Sequence, residues 1–260
     1  KLLSGDFQWE REGMGKTGEC YVVGPDFTMR SRSRFMVEDS KAFLASLGTS
    51  PLSRSVVEQI ERQGDAEIPL VVVKGTPYEM GRQLGQALKQ QITTFLPAAL
   101  PAICKELGLT EEQLQEVWSR SSAYSDDRLE QELAGVADGT GLPLRTLQAM
   151  HAVPLLMPYS CSSIAAWGEA TEDGHLYQTR NLDWNLELGA HNFAAIVIYV
   201  PDVGSPHVVP TFAGFSGAHT GMNFHGIALS EMGDASGKEA PYFVHAPHFT
   251  AFFRTMLYDA

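Results

Sequence analysis

From residue 76 onward, apolar residues first recur at helical spacing and later alternate or run together. Met80, Leu84, Leu88, Ile92 and Phe95 fall on one helical face, behind Thr76 as N-cap and Pro77 in the first turn. Thr110-Glu111-Glu112-Gln113 forms a capping box ahead of Leu114, Val117 and Trp118. Further helices are expected over 127–137 and 143–151, separated by Gly139-Thr140-Gly141, so residues 76–152 read as helical. Gly81 and Gly85 lie inside the first helix, where each costs ~1 kcal/mol against Ala. Close approach of another helix or strand is the physical reason to keep them there.

Strand patterns bracket this region. Ile68–Lys74 is one, stopped by Gly75. Cys161–Trp167 and His175–Arg180 flank Thr171-Glu172-Asp173-Gly174, a hairpin turn signal. Phe193–Val200, His207–Phe212 and Gly226–Ser230 follow, then an amphipathic helix over 249–258. The fold class is therefore α+β. Residues 1–65 differ in texture. They carry a strand pattern at Glu19–Val23, closed by Gly24-Pro25-Asp26, and a short helix pattern at Pro51–Arg62 with Ser50 as cap. A boundary is expected near residue 66.

Composition narrows the function classes. With 44% hydrophobic and 19% charged residues, the chain buries a core rather than staying disordered. A formal net charge of −12 excludes the basic footprint that nucleic acid requires. The best apolar run, Phe193–Val200, falls well short of the ~18 residues that span a bilayer. His245-Ala-Pro-His248 has ligand-like spacing, but Pro247 breaks helical presentation and no carboxylate or cysteine completes a set. Neither a metal nor another cofactor is expected. The chain opens on Lys1 and stops inside a helix pattern at Ala260, which suggests a piece of a longer protein. Cys20, Cys104 and Cys161 cannot all pair with one another, so at least one thiol needs another explanation.

Cys161 begins a strand and is the cysteine with chemistry around it. A turn centred on Glu172-Asp173 places Trp184 opposite Cys161 and puts Arg180, Leu182 and Trp184 on its face. A one-residue slip substitutes Asn181 and Asp183. Either register folds a polar run back beside the thiol. A guanidinium near sulfur favours the thiolate, and a carboxylate can hold an amine or a guanidinium in place. The plainer readings are a small buried hydrophobe for Cys161 and a strand-end ion pair for Arg180 and Asp183.

An ordered set of motifs adds context: Gly75-Thr-Pro-Tyr-Glu-Met-Gly81 with Gly85, Leu133-Ala-Gly-Val-Ala-Asp-Gly139, Cys161-Ser-Ser, Ala170-Thr-Glu-Asp-Gly174, Arg180-Asn-Leu-Asp-Trp184 and Gly221-Met-Asn-Phe-His-Gly226. Over residues 67–260 this succession resembles the C45 family of autoproteolytic acyltransferases and hydrolases, relatives of isopenicillin N acyltransferase among the N-terminal-nucleophile hydrolases. The resemblance implies an αββα sandwich, C-terminally incomplete over 161–260, preceded by a helical pro-region over 66–160. It implies cleavage between Ser160 and Cys161, with the small and large chains staying associated. The new α-amine of Cys161 then serves as the base, Asp183 orients it, and Arg180 sits beside the nucleophile. The implied substrate is a small acyl-amide or acyl-thioester. Related bile-salt hydrolases place an oxyanion Asn after the Gly-Met-Asn segment. Here that stretch reads Ser230-Glu231-Met232-Gly233, leaving Asn181, Trp184, Asn223 and Glu231 as candidates for the pocket or oxyanion region, with Asn223 mainly a turn residue.

Gly15–Asp26 and Met29-Arg-Ser-Arg-Ser-Arg-Phe35 resemble the distal part of a Cache-type, PAS-like extracytoplasmic sensor over residues 5–64. That resemblance implies an extracytoplasmic placement, with any membrane attachment supplied by segments outside this chain. The Arg30, Arg32 and Arg34 series reads as a solvated strand face. Two other activity classes remain open from the residues: an inactive binding or sensory scaffold, and an uncut cysteine hydrolase using His151, His219 or His225 as base.

Overall fold

The computed structural model describes residues 56–60, 68–156, 160–184, 186–232 and 247–260, with 56–60, Ser160, Asp183 and Leu186 described by backbone alone. The Glu19–Val23 strand pattern and the Arg30, Arg32 and Arg34 series lie outside these residues.

Helix α1 (Pro77–Ala87) starts where the capping residues demand it. Glu79 N donates to Thr76 Oγ1 at 3.3 Å, and Thr76 N donates back to Glu79 Oε2 at 2.9 Å. The long apolar stripe does not form one helix. The chain turns at Leu88 and continues as α2 (Lys89–Leu107). Leu88 N still donates to the Leu84 carbonyl and the Leu88 carbonyl accepts from Ile92 N, so the turn leaves neither group unpaired. Met80, Leu84, Leu88, Ile92 and Phe95 are all buried. Helices α3 (Glu111–Ser122), α4 (Arg128–Thr140) and α5 (Leu144–Ala152) follow, α3 started by the Thr110–Gln113 capping box.

The glycines of α1 are explained by α4. A Cβ on Gly81 would stand 2.0 Å from the Glu132 carbonyl oxygen, and one on Gly135 would stand 2.1 Å from that of Tyr78. Gly85 and Gly139 face Val136 and Arg82 backbone in the same way. Two glycine pairs, each four residues apart, let the helix backbones touch.

Among the described residues the larger sheet has six strands in the order β1-β2-β5-β6-β7-β8. They are β1 (Val56–Ile60), β2 (Ile68–Gly75), β5 (Ala194–Pro201), β6 (His207–Phe212), β7 (Thr220–Asn223) and β8 (Ala228–Ser230). The hairpin strands β3 (Ser160–Gly168) and β4 (Gly174–Asp183) form a separate pair. β2 and β5 run parallel with Leu70 beside Ile196, and the other neighbouring pairs are antiparallel. The helix expected over 51–62 is corrected here. Val56–Ile60 pairs with β2 from Val56↔Val72 to Ile60↔Ile68. Two adjacent valines and an isoleucine suit a strand, and the pairing satisfies a β2 edge that would otherwise be open. The pairing crosses residue 66, where the sequence changes texture.

The architecture is thus α+β, a mixed sheet with helices packed on one face. Val71, Val73, Val197, Tyr199 and Val209 meet Leu84, Leu96, Leu133 and Leu147 there, while Ile68, Leu70 and Ile196 form a smaller cluster on the opposite face. The final helix, α6 (Phe249–Asp259), closes the core with a buried cation. Arg254 donates from Nη2 to Glu132 Oε2 at 2.8 Å and from Nη1 to Oε1 at 3.3 Å. Its guanidinium lies 3.8 Å from the Tyr199 ring centroid and also bonds the Ser216 carbonyl. One side chain therefore fastens α6 to α4, to β5 and to the loop after β6.

Candidate functional site

The hairpin places the thiol. Ser160 pairs with Asp183, Cys161 with Leu182, Ser162 with Asn181 and Ser163 with Arg180. This register lies two residues from the expected one, because the ladder is irregular between Ala166 and Gly168 and the turn spans residues 169–173 between Gly168 and Gly174. Asp173 holds that turn by accepting from His175 N at 3.0 Å and from the Tyr177 hydroxyl at 2.6 Å. Side chains alternate with a period of two, so an even shift moves the opposite partner but keeps every residue on its face. Arg180 and Leu182 stay on the Cys161 side; Asn181 stays on the other, donating to Ser162 Oγ at 3.4 Å.

Arg180 Nη2 donates to Cys161 Sγ at 2.9 Å and to Glu231 Oε2 at 3.1 Å. Arg180 Nε donates to the Glu231 carbonyl at 3.1 Å. The thiol itself faces Glu231 Oε2 at 3.9 Å. Only 7% of the Arg180 side chain and 11% of that of Glu231 are exposed, so this ion pair is shielded from water, while Cys161 remains half-buried. Glu231 follows β8 directly, and its N–H donates to the His219 carbonyl at 2.8 Å. Asp183 ends β4 with its backbone opposite Ser160.

Beyond Leu182 lies a small apolar pocket, about 40 Å³, that is partly open to solvent. Phe95, Met150, Val153, Leu182, Trp184 and Phe212 line it, with Phe215 and the His219 ring at its side. Trp184 thus belongs to the pocket, its ring 6.2 Å from that of Phe212. Asn223 does not. It sits buried at the far end of β7 from His219 and Glu231, accepting from His225 N and Ile227 N at 3.1 and 3.0 Å and donating to the Ala260 carbonyl. It is a turn residue.

The histidines are mostly structural. His151 is fully buried, with Nδ1 2.7 Å from the Leu147 carbonyl and Nε2 accepting from Ser216 N at 2.8 Å. His248 caps α6, its Nδ1 accepting from Thr250 N at 3.2 Å; His245 lies outside the described residues. Burial first, then the Arg180 charge, holds His219 down at about 3, so its ring is neutral. His225 is exposed in the turn after β7. Among the described residues no group of three or more His, Cys, Asp or Glu side chains is placed to hold a metal. No single described helix is long and apolar enough to cross a membrane.

Glu231, a candidate for the pocket or oxyanion region, meets both the thiol and Arg180. The buried cation Arg254 escapes the sequence, because it carries no local signal within its helix.

No family model matches the chain. Two curated proteins of Dictyostelium discoideum are similar to it. Protein dcd1B is 32% identical over 182 residues, covering 60% of this chain and 36% of that protein. Protein dcd1A is 27% identical over 194 residues, covering 62% of this chain and 43% of that protein. The chain therefore spans less than half the length of these curated relatives.

Proposed function

We propose that the chain belongs to an N-terminal-nucleophile amide hydrolase or acyltransferase that cuts its own Ser160–Cys161 peptide and then uses Cys161 to carry an acyl group. The observation that carries the reading is the half-buried Cys161 thiol, bound by Arg180 Nη2 at 2.9 Å beside an apolar pocket. In this reading the mixed sheet with its helical face is one side of an αββα sandwich, and the β3–β4 hairpin begins the second sheet. Residues 5–64 enter as the sensor-like segment their motifs resemble.

Once residue 161 is a chain terminus, its α-amine has an ordinary pKa of ~7.7–8 and can accept the thiol proton near neutral pH. By the family resemblance Asp183, whose backbone pairs with Ser160, is the residue that orients that amine. The thiolate attacks the acyl carbonyl of an amide or thioester. The bond to the leaving group breaks, the leaving group takes the proton, and the acyl group stays on sulfur. Water or an acceptor amine then releases it. Arg180 supplies a fixed cation where charge develops on sulfur, and the pocket beyond Leu182 receives the apolar part of the acyl group.

Intact-mass measurement of the chain beside its Cys161→Ala variant tests this. Two fragments meeting between residues 160 and 161, in the parent alone, are expected. A parent that stays whole and does not react with iodoacetamide would overturn the reading in favour of an inactive scaffold.

A further inference from the structure

The α-amine explains turnover but not the first cut, because before cleavage the nitrogen of Cys161 is a peptide amide and cannot take a proton. Another group must activate the thiol in the uncut chain. We infer that Glu231 is that group, the general base for self-cleavage, an assignment that rests on the proposed cleavage at Ser160–Cys161.

The argument is geometric. Sulfur accepts from Arg180 Nη2 on one side at 2.9 Å, which leaves its own proton for an acceptor elsewhere, and Glu231 Oε2 stands at 3.9 Å. The same guanidinium grips the carboxylate through Nη2 at 3.1 Å and the Glu231 carbonyl through Nε at 3.1 Å. The Glu231 N–H is fixed to the His219 carbonyl. One rigid fork therefore sets the thiol and the carboxylate against each other. Among the described side chains, two nearby histidines are placed differently. Both nitrogens of His151 are occupied by backbone, and the His219 ring, beside Arg180, lines the apolar pocket.

The step balances within the chain. The proton passes from Sγ to Glu231 Oε2, and sulfur bonds to the carbonyl carbon of Ser160. The C–N bond between Ser160 and Cys161 breaks, and the departing nitrogen takes the proton back from Glu231. The product is a thioester of Ser160 on Cys161 with a free α-amine. Water then adds its hydroxyl to the Ser160 carbon and returns its hydrogen to sulfur, freeing both chains.

The full chain made by cell-free translation, sampled by mass over time near pH 7, tests the assignment. Glu231→Gln keeps an acceptor for Arg180 but cannot hold the proton. Its cleavage should slow by about 10²-fold or more, whereas Glu231→Asp, which keeps a carboxylate, should recover part of the lost rate. Cleavage of Glu231→Gln at the parent rate overturns the inference. So does a Glu231→Asp variant that cuts no faster than Glu231→Gln, which would mark a structural role. If Glu231→Gln does not fold, Glu231→Ala with added formate gives the same answer: cleavage restored by formate supports the base, and no restoration overturns it. A parent that never cuts removes the proposed function itself, a result separable from a parent that cuts and a variant that cuts equally fast.

Discussion

Acid should unfold this protein early, and His151 allows the effect to be measured at one residue. Its Nε2 accepts from Ser216 N and its Nδ1 faces the Leu147 carbonyl, so the ring is a neutral Nδ1–H tautomer. Protonation would turn Nε2 into a donor aimed at another donor, inside a fully buried site. Burial, partly offset by the Leu147 carbonyl and reinforced by Arg254, holds this imidazole at about 4 against an ordinary 6.5. Above pH 6.5 the ring is neutral in folded and unfolded chains, and its full contribution is present. As pH falls from 6.5 to about 4, only the unfolded chain takes up the proton, so stability is lost, and below that the loss is complete. At about 1.4 kcal/mol per pH unit the interval corresponds to roughly 3 kcal/mol. Urea unfolding of the parent and His151→Gln at pH 7.5, 6.5, 5.5 and 4.5 reads it directly. Buried His207, His219 and His248, all held at about 3 chiefly by burial, stay neutral in both folded proteins down to pH 4.5, so their proton uptake on unfolding cancels in the difference. The variant should lose less stability with acid, by up to ~1.4 kcal/mol per pH unit between 6 and 4.5. Parallel profiles would refute the assignment of a neutral, backbone-locked His151.

Gly81→Ala places a methyl 2.0 Å from the Glu132 carbonyl oxygen, where ordinary contact begins at 3.4 Å, so α1 and α4 must part. Overpacking of about 1–3 kcal/mol or more outweighs the helix-propensity gain of ~1 kcal/mol, and an unchanged Tm would contradict the packing. Glu132→Gln leaves Arg254 buried without its counter-charge and should cost about 3–5 kcal/mol in chemical denaturation. Glu132→Gln combined with Arg254→Met should cost less than the single change; a larger loss in the double variant counts against an isolated ion pair. Met150→Trp fills the apolar pocket and should abolish any preference of Cys161 for long-chain apolar chloroacetamides over iodoacetamide, measured as labelling rates; an undiminished preference would place the acyl group elsewhere.

Local chemistry made much of this structure legible. The Thr76 and Thr110 caps specify their helices through side-chain bonds to nearby backbone, and Gly81 and Gly85 betray a close neighbour because glycine is otherwise costly in a helix. The face shared by Cys161 and Arg180 survived an error in register because the error was even. What escaped depends on distant partners. Leu88 continues the apolar stripe, so periodicity alone hides the turn there. Val56–Ile60 follows a helix-start signal at Ser50-Pro51, and its strand form depends on the β2 edge. Thr220–Asn223 ends in a turn sequence that masks a short strand. Arg254 finds its counter-charge 122 residues earlier in the chain, beyond the reach of any sequence window.

Strand β2 lies between β1 and β5, and β5 comes from the far side of the Ser160–Cys161 peptide. Uncut, the parallel β2–β5 ladder and the Glu132–Arg254 pair are intramolecular, and refolding is first order. After a cut at that peptide, the same ladder joins two molecules. Unfolding would release them into solution, and the thermal midpoint would depend on dilution. Reassembly would become second order in protein, slowest when the protein is scarce. One peptide bond would therefore decide whether unfolding can be undone or acts as a one-way exit.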